Sequence, residues 1–430
     1  GDHRDLHLSI RRQRQMCIRD RFIGNFNHGV GFQGDLPIPF DIILNVSAWV
    51  IILTFVFLKI SWKESILTSE EKLFSNQQTF TGKLFGFVIL FLLIAPGLIG
   101  SEGAKTSIAP LILWVFLWIG IPVLGLLFGD LYAKFNPLNV FLTNDNKPQS
   151  VYVACILFLG LTWFELVWTK PGNPLHIGIV FIMLFLVVNS FKLFFNKTSI
   201  EIDPLLLLHH LYSKLRIVNS KPIFRTLLQN ISNLSRIRGM EYFILLMIGT
   251  VTYDGLRETV FWYNQFGTRV YDMAFSTLAF LTINLVLILF YRFACYFSIK
   301  VSDSDYSIDE VSLAFGHSML PIAFAYHVTH YLSLFLFESQ TFLYRLNDPI
   351  GTGLNLFGVN EVTVEYFLDP LPYWTIQVVV TLLGHMLSVF LAHDLAVKLF
   401  GHEQSDKTQY IFLLITVVLT LQALFVLSVP

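Results

Sequence analysis

Runs of about 20 apolar residues recur along this chain, and each is long enough to cross the hydrocarbon of a bilayer. They fall near 38–58, 83–100, 108–128, 150–168, 175–195, 240–262, 273–299, 309–337, 373–398 and 409–428. In lipid every backbone N–H and C=O must be satisfied within its own segment, so such runs fold as helices. The composition agrees: only 14% of the 430 residues are charged and 42 are phenylalanine, whereas a soluble domain carries about 25% charge. Mean hydropathy is +0.62. The expected fold class is all-α: a polytopic transmembrane helix bundle of about ten spans.

A formal net charge of −1 offers no basic face to nucleic acid. The three cysteines form neither a CxxC motif nor a disulfide framework. Arg11 to Arg21 reads RRQRQMCIRDR, which looks like a sequencing adapter read through in one frame. Residues 1–21, Cys17 included, are therefore expected to lie outside the native structure. Residues 22–430 are expected to form one membrane domain, with an inner surface segment at about 192–239 and an outer loop at about 338–372.

Lysine and arginine set the orientation. With the N-terminus outside, the outer connections hold only Lys105, Lys170, Arg257, Arg269 and Arg345, and the inner ones collect most of the rest. This sorts the polar residues by depth. Glu165 and Asp254 come at the outer ends of their runs, His327 and His330 lie in the outer half, and His385 lies near the middle. His317, His393 and Asp394 fall in the inner half.

Ionisable groups at these depths are costly and mark functional sites. His327 and His330 share a helix face about 4.5 Å apart in rise, a workable spacing for two ligands of one metal ion. The competing reading is a pair of core histidines bonded across helices. His385 and His393 are about 12 Å apart along their helix, so His385 is the better partner for the outer pair. His393 with Asp394 and His317 reads equally as a proton relay or as packing. Asp254, in YDGLRET, reads as a ligand, as an orienter of a ligating imidazole or as a turn cap. Glu165 stands between tryptophans, where a solvated carboxylate is the alternative. Asp130 and Asn136 suit turn roles, Glu102 and Lys105 suit a mutual pair, and LLLLHHLYSKL suits an amphipathic helix on the inner surface. His28 and Asp35 could fold back as an outer lid. No GxSxG, P-loop or HExxH motif is present.

The series HGVGFQGDLPIP, GDLYAKFNPL, WFELV, YDGLRET, AYHVTHYLSL, NDPIGTGLNLFG and GHMLSVFLAHD resembles, in order, the bacterial membrane proteins called fenitrothion hydrolase. The matching positions are His28, Asp35, Glu165, Asp254, Glu258, His327, His330, His385, His393 and Asp394. Arg257, where a small polar residue is expected, departs from the pattern, as do the SEGAKTSIAP loop and the longer inner loop around LLLLHHLYSKL. The resemblance implies hydrolysis of organophosphorus or similar phosphoesters in a bacterial inner membrane.

The leading expectation is a metal-dependent hydrolase taking small apolar esters from the bilayer. His327, His330, His385 and Asp254 would hold a divalent ion such as zinc, and Glu165, Asp254 or Glu258 would serve the attacking water. Two other classes stay open: a proton- or metal-coupled transporter, and a haem-binding electron carrier. A transporter needs polar side chains that connect the outer layer to the inner one, and few lie between His327 and His317 in the sequence.

Overall fold

The computed structural model describes residues 40–65, 78–100, 107–141, 148–194, 201–217, 231 and 237–428. The 1–21 segment, His28, Asp35, Glu102 and Lys105 lie outside the described residues. Among the described residues there are helices and no strand, only an isolated bridge between Ser150 and Arg238. The chain is an all-α, multi-pass membrane bundle.

The long helices are α1 (Phe40–Ser61), α2 (Phe80–Ile99), α3 (Ile108–Phe128), α4 (Tyr152–Leu166) and α5 (Pro174–Phe194), followed by the short α6 (Pro204–Ser213). Then come α7 (Met240–Arg257), α8 (Met273–Ser302), α9 (Ile308–Asn347), α10 (Pro370–Phe400) and α11 (Tyr410–Ser428). Seven of these are long and apolar enough to cross a membrane, or eight if α11 counts with the short helix His402–Thr408, to which it is bent by 43°. The other two expected runs are α4 and α7. At 15 residues, α4 rises only about 22 Å, short of a hydrocarbon core of about 30 Å. α7 carries Glu241 and Asp254 into the centre of the bundle, both buried.

α9 is the axle of the fold, with 78% of its apolar window buried, against 22% for α8. It changes gait three times, through a 3-10 turn at His317–Met319, a π-helical turn at Leu334–Glu338 and a 3-10 turn at Ser339–Thr341. α10 packs along it at Gly384, where an added Cβ would stand 2.7 Å from the Pro321 carbonyl oxygen. α8 meets the bundle where Gly249 of α7 makes room for the Asn284 amide, and through bonds from Tyr291 to the Ser312 carbonyl, from Ser298 to the Thr408 carbonyl and from Trp163 to Thr277.

Close backbone approach also holds α2. Gly82 and Gly86 lie against the carbonyls of Lys134 and Phe135, and Gly97 lies against that of Pro174, where α5 begins. Lipid gives no hydrophobic drive between helices, so contacts of this kind set the packing. Gly125 in α3 has nothing within 4 Å of the place a Cβ would take. Gly86→Leu is expected to destabilise the purified protein by about 1–3 kcal/mol, whereas Gly125→Ala leaves the melting temperature in place. Equal melting of the two variants in detergent would remove this account of how α2 is held.

Candidate functional site

Where the C-terminal ends of α4 and α7 meet the middle of α9, the chain assembles a charged cluster. His330 Nε2 donates to Asp254 Oδ2 at 2.7 Å. Arg257, one turn beyond Asp254 on α7, places Nη2 3.5 Å from Asp254 Oδ1 and 2.9 Å from Glu258 Oε1. Its Nη1 donates to the Leu166 carbonyl at the end of α4, and the guanidinium lies 5.9 Å from the centre of the Tyr253 ring. Leu166 follows Glu165, which is buried beside Asp254 and the Tyr331 ring. Neither Glu165 carboxylate oxygen completes a hydrogen bond; the Tyr331 hydroxyl stands near it at longer range.

Of the sequence candidates, Glu165, Asp254 and Glu258 stand near one another here together with His330. The unexpected member is Arg257, read as a departure and found as the cation tying the group together.

His327 sits one helical turn before His330 and turns elsewhere. Its Nε2 donates to the Trp118 carbonyl at 2.7 Å. That carbonyl belongs to a π-helical stretch of α3, Leu111–Gly120, a feature frequent at functional sites. Trp118, Tyr212 and Tyr331 close around the imidazole, with ring centres 5.4, 5.5 and 4.9 Å from it. His385 is fully buried on α10, where Nδ1 donates to the Thr381 carbonyl at 2.7 Å and the ring faces Tyr326 at 5.5 Å. Among the described residues no three of His, Cys, Asp and Glu stand together as a metal-ligand set.

Toward the C-terminal end of α10, Asp394 accepts from Trp62 Nε1 at 2.8 Å and from Ser65 at 2.7 Å, and His393 donates to the Trp62 carbonyl at 3.2 Å. Gln409 donates to the other ring nitrogen of His393 at 3.1 Å. This pair fastens the end of α1 to α10. His317 is buried in the 3-10 turn of α9.

α6 corrects the sequence reading most. Expected on the surface, it is buried from Pro204 to Tyr212. Asp203 caps it, accepting from Leu205 N and Leu206 N at 3.0 Å, and also accepts from Asn136 Nδ2 at 2.7 Å. Four consecutive leucines leave no polar face to turn toward water, the one signal that could have placed this helix inside. His209 and Tyr212 share a face, being three residues apart. Tyr212 donates to the Ala323 carbonyl of α9 at 3.3 Å, so that face looks at His327.

His209 packs edge-on against Tyr132 at 4.4 Å, and neither ring nitrogen has a hydrogen-bond partner among the described residues. Burial pushes its imidazole down to about 3; Asp130 pulls upward and His327 adds to the fall. Next along, His210 Nδ1 donates to Asp130 Oδ2 at 2.9 Å. Burial pushes the Asp130 carboxyl up, but the bond from His210 and the Ala133 N–H outweigh it, leaving a carboxylate below its usual range. His210 stays below its ordinary value through burial, as a neutral ring. The turn roles expected of Asp130 and Asn136 are present too: they accept from Ala133 N at 3.1 Å and from Leu138 N at 2.8 Å.

No protein family, curated protein or solved structure matches this chain.

The outer loop is organised by NDPIGTGLNLFG. Asp348 accepts from Gly351 N and Thr352 N at 3.0 Å and from Gly353 N at 2.7 Å. Gly351 and Gly353 hold φ of 78° and 86°, which only glycine adopts without strain. Ile350 presents its carbonyl to Gly100 at the end of α2. Slight burial raises the Asp348 carboxyl, but the N–H groups of Gly353, Thr352, Leu354 and Gly351 outweigh it and hold it low. A depressed carboxyl contributes stability above its unfolded pKa and loses it as pH falls through the folded one. Limited proteolysis of the loop is thus expected to quicken below about pH 4. Asp348→Asn should show the same quickening at neutral pH; a loop equally resistant in both variants at every pH removes this role for Asp348.

Proposed function

We propose that this protein is a proton-coupled transporter. The observation that carries the reading is His209. It feels both His327 and Asp130, the partner of His210, and this supports a link between the His327 side of the bundle and the Asp130–His210 pair. Titratable side chains then follow one another from Glu258, Asp254 and His330 through His327 and His209 to Asp130. An imidazole takes a proton on one nitrogen and releases one from the other, so a neutral buried histidine passes protons without net change. Buried ionisable chains of this kind mark proton relays in pumps and transporters. The resemblance in sequence points to a bacterial inner membrane as its setting.

His209→Phe tests the relay cleanly, because it removes two nitrogens that no hydrogen bond satisfies. Exchanging such a group for an apolar one is neutral or stabilising. In proteoliposomes with an imposed pH gradient and a trapped dye, pools of cationic, anionic and neutral solutes are offered in turn. Wild type is expected to dissipate the gradient with one pool. His209→Phe should slow this by about tenfold or more with the melting temperature held or raised. A gradient that no pool disturbs ends the transport reading.

A second reading keeps the metal-dependent hydrolase, and the Asp254–His330 bond favours it. Metal-ligating histidines commonly donate their second nitrogen to a carboxylate, and Glu165 is at hand for the proton of an attacking water. It needs further ligands to converge on His330. Metal analysis of the purified protein separates the two. Bound zinc with phosphotriester hydrolysis, both lost in His330→Ala, supports the hydrolase; metal-free protein that moves protons supports the transporter.

A further inference from the structure

The connection from α9 to α10 is held at two points by side chains of α9. Asn347 takes the first. Its amide donates to Asn355 Oδ1 at 2.7 Å and to the Val359 carbonyl at 3.2 Å, and it accepts from Phe357 N at 2.7 Å. Its own carbonyl accepts from Leu356 N at 3.0 Å. Gln340 takes the second, accepting from Glu365 N at 3.0 Å and donating to the Glu365 carbonyl at 2.9 Å. The backbone is thus tied inward while large apolar side chains stay uncovered. Leu356, Phe357, Tyr366 and Phe367 are 55%, 61%, 67% and 64% exposed. Grouped on ordered backbone, such side chains mark an interaction surface.

The position of this surface names its occupant. α10 has 31 residues, and its first residue stands about 22 Å along the helix from its middle. In a helix centred in the bilayer, that is beyond the hydrocarbon half-thickness of about 15 Å and within the headgroup zone. Along α10, Ile376, Val379 and Leu383 are exposed at helical spacing, a face that lipid tails cover, and Leu371 is exposed where the loop joins it. The loop therefore continues a lipid-facing surface at headgroup level. The α7–α8 connection reaches the same face of the bundle, since α8 and α9 each cross once in between. It too exposes aromatic rings, those of Phe261, Tyr263 and Tyr271.

Charge selects among lipids. Glu361, Glu365 and Asp369 are exposed in the loop, and no lysine or arginine occurs from Leu346 to Val397. The surface potential of an anionic leaflet attracts basic segments and opposes acidic ones. A zwitterionic leaflet accepts the aromatic rings, which favour the headgroup level, without that cost.

We propose that residues 354–371 lie on the bilayer surface, with Leu356, Phe357, Tyr366 and Phe367 seated among the headgroups of zwitterionic phospholipids. The inference stands apart from the transport reading, because it uses no residue of the cluster around Asp254.

Fluorescent labels on the full chain in lipid nanodiscs test this. Phe357→Cys and Tyr366→Cys carry the dye, with Leu383→Cys on the lipid face of α10 and Asp305→Cys between α8 and α9 as references. The background is Cys17→Ser; Cys155 and Cys295 are buried. In phosphatidylcholine discs, a nitroxide on the lipid headgroup is expected to quench the two loop labels more than either reference. Iodide in the water should quench them less than the label in Asp305→Cys. In discs with equal phosphatidylglycerol, the nitroxide on phosphatidylcholine should quench the loop labels about threefold more than the same nitroxide on phosphatidylglycerol. Glu361→Gln with Glu365→Gln should level the two. Loop labels as open to iodide as the Asp305→Cys reference overturn the proposal. So do loop labels sheltered from iodide and nitroxide alike, as under a second copy or another protein, and so does equal quenching by the two lipids while both glutamates are present.

Discussion

An ionised side chain drawn into hydrocarbon must bring a partner along, and the interior of this bundle is arranged around that demand. Asp254 is 0% exposed and is met by His330 at 2.7 Å. The bond crosses from α7 to α9 and so fixes how the two central helices align in height. With that alignment set, Arg257 lands beside the end of α4, and His327 arrives opposite the π-helical stretch of α3. Helices that share no hydrophobic drive in lipid are brought into register by polar contacts and by glycines that let backbones touch.

The same demand explains α6. Five leucines and two histidines in a ten-residue helix cannot rest on a surface with both kinds of side chain content. Buried, the leucines enter the core, His210 finds Asp130, and Asp203 closes both the helix start and the Asn136 turn. His209 is left as the member with no bond to satisfy it. Glu165 shares that state, and a buried polar group left without a hydrogen bond asks for an explanation.

Much of this was legible in the residues. Apolar runs of bilayer length located the helices, and the lysine and arginine bias with helix rise put Glu165, Asp254 and His330 at one level, where they meet. What stayed hidden were contacts between segments distant in sequence. Nothing local distinguishes Arg257 as a tie between α4 and α7, and nothing around Asp130 announces His210, which lies 80 residues away. His385 shows the converse: its depth suggested company for His327, but rotation about α10 faces it to Tyr326. Depth follows from counting residues; azimuth follows from packing.

α8 meets the bundle along one side, with Asn284 set into the space left by Gly249, and is the least buried of the long apolar helices. Its Leu278, Leu281, Leu285, Leu289, Phe290 and Phe293 are exposed. On that side the bilayer asks only for oiliness and length, so one aliphatic residue serves as well as another. The helix therefore presents two surfaces on one rod: an apolar face matched to lipid, and a seam where Asn284 fits the space left by Gly249 and where Tyr291 and Ser298 donate to carbonyls of neighbouring helices.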